Sequence, residues 1–193
     1  VELPSNPMLQ CVDLPLIAKM AHARGIPVIA DDTIGSAINI DPLPYADLVF
    51  TSLTKSFAGS GDILAGSLVI SPTSAWREAL KELIPRVSSA DLFGADAIAL
   101  QEASKDVTDR IHQLNKACLE LKLRLENHPN VSRVLHPELC PNFKSLMKPK
   151  SGFGCLLSFE LNEGLEKTKR FYNSLKVCKG PSLGTNFTLA CPY

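Results

Sequence analysis

Ile26-Pro27-Val28-Ile29-Ala30-Asp31-Asp32-Thr33, followed downstream by Leu48-Val49-Phe50-Thr51-Ser52-Leu53-Thr54-Lys55, decides the fold class. Each stretch opens with a short, near-continuous apolar run and closes on polar groups. A run that is apolar on consecutive residues leaves no solvent face, the pattern of a strand buried on both sides of a parallel sheet. Residues 13–24, just upstream, read as a helix. Asp13 is placed to cap it, Pro15 falls in its first turn, and Leu14, Ile17, Ala18 and Ala21 share one face. Gly25 and Pro27 then stop it. A helix interleaved with strands at this spacing predicts α/β architecture.

Working outward, Leu64 to Ile70 is a third apolar run, interrupted by Gly66 and Ser67, and residues 74–84 read as helical. From Ala95 to Glu126 the chain has no Gly or Pro, and Val107, Ile111, Leu114, Cys118, Leu121 and Leu125 recur at spacings of four and three. That predicts one long amphipathic helix with a single buried stripe, ended by Asn127-His128-Pro129. Strands are predicted over Val131–Leu135, Phe153–Leu161 and Phe187–Ala190, with a helix over Leu165–Leu175. The change of texture near residue 127 divides the chain into a first unit, residues 1–127, and the start of a second, residues 128–193.

Composition narrows the class without naming it. The chain has 193 residues, 45% of them hydrophobic and 21% charged, enough to bury a sizeable core. Twenty basic residues balance 20 acidic ones, so the overall charge carries no footprint of a nucleic-acid or membrane-surface partner. The six cysteines are scattered, with no CxxC pair and no zinc spacing, and read as reduced thiols of a cytoplasmic protein. No apolar run reaches membrane-spanning length, and the start is not a secretory leader. No GxGxxG or GxxxxGK[ST] string supports a nucleotide-binding reading.

Ligands of open α/β sheets bind outside the carboxyl ends of the strands, so the residues ending the apolar runs matter most. The first run ends on Asp31 and the second leads to Ser52, Thr54 and Lys55, which places a carboxylate and an ammonium at one sheet edge. That pair has a specific use in pyridoxal 5′-phosphate (PLP) chemistry. A lysine holds the cofactor as a Schiff base, and a carboxylate against the pyridinium nitrogen keeps the ring protonated and electron-accepting. The hydroxyls of Ser52 and Thr54, alternate residues on one side, suit the cofactor phosphate. Taken alone, a lysine after a strand is an ordinary solvated loop residue, and an aspartate there is an ordinary turn former.

The wider string changes that balance. Glu2-Leu3-Pro4-Ser5-Asn6-Pro7, Ala21-His22-Ala23-Arg24-Gly25-Ile26-Pro27-Val28, Asp31-Asp32-Thr33, Ala46-Asp47-Leu48-Val49, Ser52-Leu53-Thr54-Lys55 and Gly61-Asp62-Ile63-Leu64-Ala65-Gly66 follow in order. Together they resemble the Cys/Met-metabolism family of PLP enzymes, which includes cystathionine γ-synthase, cystathionine lyases and methionine γ-lyase. The match is close over residues 2–70 and weaker through Asn127–Val131, Ser151–Gly154 and Ser182–Thr185. Asp31-Asp32-Thr33-Ile34-Gly35, Leu43-Pro44-Tyr45-Ala46-Asp47 and Asp91-Leu92-Phe93-Gly94-Ala95-Asp96-Ala97 look most like the fungal cystathionine γ-synthase branch.

The resemblance implies a PLP-dependent transferase type-I fold. Residues 1–127 would be the C-terminal part of the cofactor-binding large domain, with a mostly parallel sheet, and residues 128–193 the start of the small α/β domain. It implies that Lys55 binds PLP and then shuttles protons, that Asp31 pairs with the ring nitrogen, and that Ser52 and Thr54 bind the phosphate. It also implies that Asn6 sits by cofactor and substrate and that Ser182 approaches the substrate carboxylate. Asp32 stands where the family commonly has Asn and is given no role; His22 and Trp76 read as packing residues, and His112 as a surface residue. No metal is expected. The expected partner is a small amino-acid substrate, and the full-length form is expected to be a homotetramer built of dimers. The family's ring-stacking aromatic, glycine-rich phosphate loop and carboxylate-binding arginine are not in the sequence, so a partial site on a fragment is expected. The reaction expected of the whole enzyme joins an activated homoserine ester to cysteine, giving cystathionine and a carboxylic acid. Another reaction of the family, and a truncated chain with only a structural role, are the competing readings.

Overall fold

Asp13, Pro15 and Gly25 set the first helix as local chemistry dictates. In the structure, a computed structural model that describes residues 1–88, 92–162 and 164–193, helix α1 spans Leu14–His22. The Asp13 carboxylate accepts from the Leu16 N–H at 3.0 Å, and Gly25 takes a left-handed conformation with φ +69° just beyond the end. Leu14 and Ala18 face the core. Asp91 of the fungal-type stretch lies outside the described residues.

Strands β1 (Ile29–Asp31), β2 (Leu48–Ser52) and β3 (Gly66–Ile70) form one sheet in that order. β1 and β2 are parallel, with Asp31 opposite Phe50, and Glu2 adds a parallel bridge to Asp31 on the other side. β3 runs antiparallel to β2, an antiparallel edge on an otherwise parallel sheet. The first run is buried on one face only, against the two-faced burial its sequence predicts. Ala30 is fully buried but Ile29 is 51% exposed, on the sheet face that also carries the exposed Phe50 and Leu68.

Helix α2 spans Arg77–Val87. The helix predicted over 95–126 is two helices, α3 (Gly94–Ala103) and α4 (Val107–Glu126), separated by Ser104-Lys105-Asp106. The buried face of α4 follows the predicted apolar stripe at Ile111 and Cys118 but is broadened by Asn115 and Lys122 and leaves out Leu121, which is exposed. Two polar residues are tolerated there because both are paired. Asn115 meets Asn39, and the Lys122 ammonium lies 2.8 Å from Glu126 and 3.1 Å from Glu138.

Beyond α4, β4 (Val131–Leu135) pairs antiparallel with β5 (Ser158–Leu161), which is shorter than the predicted strand from Phe153. A short helix α5 (Pro141–Lys144) lies between them. Helix α6 (Leu165–Ser174) and the two-residue strands β6 (Cys178–Lys179) and β7 (Leu189–Ala190) complete the chain. Cys140, Phe143 and Leu146 share one core cluster with Leu3, Leu14, Ala30 and Val49. The main core therefore draws on residues from both sides of position 127.

Candidate active site

Parallel pairing of β1 and β2 brings their carboxyl ends to one edge. Asp31 ends β1, and Ser52 ends β2 two residues past Asp31's partner Phe50, so both side chains stand on one sheet face. Asp31 Oδ1 accepts from the Thr33 N–H at 3.0 Å, and the Thr33 hydroxyl accepts from the Ser52 N–H at 2.9 Å. Thr33 thus ties the two strand ends together. Asp32 points elsewhere. It is buried and takes a hydrogen bond from the Thr51 hydroxyl. Burial pushes its carboxyl above the usual range, against the opposing Thr51 bond.

Residues 53–58 turn directly after β2. Bonds from Lys55 N–H to Ser52 carbonyl (3.3 Å), Ala58 N–H to Leu53 carbonyl (2.9 Å) and Gly59 N–H to Lys55 carbonyl (2.9 Å) close it. The half-buried Lys55 ammonium donates to the Ser182 hydroxyl at 3.2 Å. Among the described residues no carboxylate lies within ion-pair distance of it. The Thr54 hydroxyl faces the loop that follows. It accepts from the Ala65 N–H at 3.1 Å and donates to the Ala65 carbonyl at 3.3 Å. Asn6 is exposed and donates to the Tyr193 hydroxyl at 3.1 Å; no hydrogen bond joins it to Lys55, Asp31 or Ser182 among the described residues.

The 182–186 segment is seated on the Lys55 turn by backbone contact. Gly184 has φ +76°, and a Cβ there would come within 2.8 Å of the Lys55 carbonyl carbon and closer still to the Ser56 nitrogen, so only glycine fits. The Asn186 N–H donates to the Gly59 carbonyl at 2.7 Å. Ser56 is buried, with its hydroxyl 3.8 Å from the Cys155 sulfur, and burial raises the Cys155 thiol.

Two residues of this region are silent in the sequence. Arg110 of α4 reaches the carbonyls of Ser56 and Phe57. Asn115 pairs with Asn39 through both amide groups. His22, Trp76 and His112 sit as the sequence predicts: the His22 ring packs 5.2 Å from Trp76 and meets Asp47 at 2.9 Å, and His112 is exposed. Among the described residues no cluster of His, Cys, Asp and Glu could hold a metal.

A lysine with no carboxylate partner among the described residues, a carboxylate at the neighbouring strand end and a hydroxyl on the same sheet face are groups that could hold PLP. The sequence profile of the family described as Cys/Met metabolism PLP-dependent enzyme matches residues 1–191. The chain belongs to this family.

Members of the Cys/Met metabolism family that the chain is similar to include the cystathionine γ-synthase-like protein ankD of Aspergillus thermomutatus, 38% identical over 100% of this chain and 34% of that protein. Another is the cystathionine γ-synthase of Saccharomyces cerevisiae, 37% identical over 100% of this chain and 32% of that protein. The chain thus spans about a third of the length of these relatives. Among solved structures, an apo methionine γ-lyase from Micromonospora echinospora superposes with a TM-score of 0.85 at 29% identity, covering 98% of this chain and 52% of that one. The fold is therefore part of the type-I fold of PLP-dependent enzymes, and among the described residues no helix is long and apolar enough to cross a membrane.

Proposed function

We propose that the whole protein carries out PLP-dependent γ-replacement, joining an activated homoserine ester and cysteine into cystathionine in the trans-sulfuration route to methionine. Residues 1–127 supply part of the cofactor domain, and residues 128–193 open the smaller domain that carries Ser182. The observation that carries the reading is the Lys55 ammonium held at the Ser182 hydroxyl, 3.2 Å away, on the turn that directly follows the strand ending in Ser52. Bound PLP supplies an electron sink for charge developing at the substrate α carbon.

Each residue then has a defined task. Lys55 would hold the cofactor and, once displaced by substrate, would act as the base at the α carbon and, after giving that proton up again, as the base at the β carbon. Asp31 would face the ring nitrogen through its carboxyl group. Ser52 presents its hydroxyl to the phosphate. Thr54 also serves the phosphate, although its proton is directed at the Ala65 carbonyl, so a phosphate oxygen competes with that contact. Ser182, 3.2 Å from the Lys55 amine, would approach the substrate carboxylate, and Asn6 would sit by the cofactor and substrate.

Product analysis of the whole protein tests this. Cystathionine formed from a homoserine ester and cysteine supports γ-replacement. A 2-oxo acid and ammonia released from cystathionine or methionine supports a second reading, elimination, which the likeness to a methionine γ-lyase favours. A protein with no visible cofactor band and no product supports a structural role alone.

A further inference from the structure

We propose that Arg110 is the positioning residue that fixes Lys55 at its working place, an inference that rests on the functional reading of Lys55. The turn after β2 satisfies the carbonyls of Ser52, Leu53 and Lys55 internally, while those of the next two residues, Ser56 and Phe57, point to α4. The Arg110 guanidinium donates through Nη1 to the Ser56 carbonyl at 2.9 Å and through Nη2 to the Phe57 carbonyl at 3.1 Å. The same Nη2 donates to the Ala103 carbonyl at 2.9 Å and the Asp106 carboxylate at 3.1 Å. The side chain is only 14% exposed, and a Cβ on Gly59 would lie 2.9 Å from its Nη1. One planar fork therefore joins the backbone directly after Lys55 to the end of α3.

This also gives the break between α3 and α4 a purpose. Ser104-Lys105-Asp106 interrupts what would otherwise be a continuous helix, frees the Ala103 carbonyl and places Asp106 four residues before Arg110. Lysine could not replace the fork, since an ammonium lacks the fixed planar donors that meet two carbonyls of a turn at once. Proton transfer by Lys55 needs sub-ångström placement, and a displacement of about 1 Å costs on the order of 100-fold in rate.

The test uses Arg110→Lys and Asp106→Asn in the whole protein, read three ways: amide hydrogen exchange over residues 53–59 without cofactor, the pH midpoint of the visible cofactor band, and kcat against KM. For Arg110→Lys, exchange over 53–59 rises about tenfold with α1 unchanged, the midpoint shifts, and kcat falls about 10- to 100-fold while KM changes less than about threefold. Asp106→Asn moves all three in the same direction by less, and decides the matter alone if Arg110→Lys does not fold. Exchange over 53–59 that stays at the wild-type rate, or rises equally throughout the chain with an unmoved cofactor band, overturns the inference. Failure of the functional reading shows instead in the wild-type protein, as cofactor absent or attached away from Lys55.

Discussion

The Lys55 ammonium and the Ser182 hydroxyl meet at 3.2 Å across 127 residues of sequence. The contact depends on Gly184, whose missing side chain lets the 182–186 segment rest on the backbone of the Lys55 turn. Replacing Ser182 with alanine removes the only hydrogen-bond partner the ammonium has among the described residues. A hydrogen bond to a charged group contributes about 1.5–3 kcal/mol, so kcat/KM is expected to fall roughly 10- to 100-fold while cofactor content stays at the wild-type level. Steady-state kinetics with the cofactor quantified by absorbance measures it. Unchanged kcat/KM would remove Ser182 from the site.

Asn39 and Asn115 form a reciprocal amide pair at 2.7 and 3.2 Å. It also accepts the Gly152 N–H at 3.0 Å and the Gly154 N–H at 2.9 Å. Asn115→Ala leaves the Gly154 N–H without its acceptor and takes one contact from each end of the Asn39 amide, which keeps Gly35 and Gly152, and is expected to cost about 1–3 kcal/mol of stability. Asn39→Ala costs a similar amount, and the double variant less than the sum, because the two single changes lose the same two bonds between the pair. Urea denaturation of the three variants checks this; additive losses would show that the pair does not act as a unit.

His136 is fully buried, its Nδ1 accepts from the Glu138 N–H at 3.2 Å, and its Nε2 has no partner among the described residues. Burial, helped by the Lys122 ammonium and opposed by Glu138 and Glu126, lowers its pKa to about 4. The unfolded chain, at an ordinary value near 6.5, binds the proton first as pH falls. The stabilisation from keeping His136 neutral is complete above about pH 6.5 and is lost on acidification toward about pH 4, a total of roughly 3 kcal/mol. His136→Gln keeps an acceptor for Glu138 without titrating, so its stability should fall less steeply over this window. Identical slopes in urea melts from pH 7 to 4.5 would contradict the account.

The first helix and the strand ends of the candidate site could be read in the sequence, and what could not has a physical reason. Helix α1 was legible because its cap, its first-turn proline and its terminal glycine are all local. Asp31 and Ser52 were legible because each closes an apolar run, and the structure ends a strand at each. The direction of β3 was not, since an apolar run records burial but not polarity of pairing. The break at residues 104–106 carries no Gly or Pro; its stabilisation comes from Arg110, four residues on. Asn115 and Lys122 belong to the buried face of α4 only because partners distant in sequence satisfy them. The meeting of Ser182 with Lys55 likewise depends on a contact that no local pattern encodes.

The proposed function stands on Lys55 carrying the cofactor. Borohydride reduction of the whole protein in the presence of PLP, followed by peptide mapping, tests it most directly. Stable label is expected on the peptide containing Lys55 and is expected to be lost in Lys55→Ala. Label at another lysine, or none in a folded protein, would contradict it.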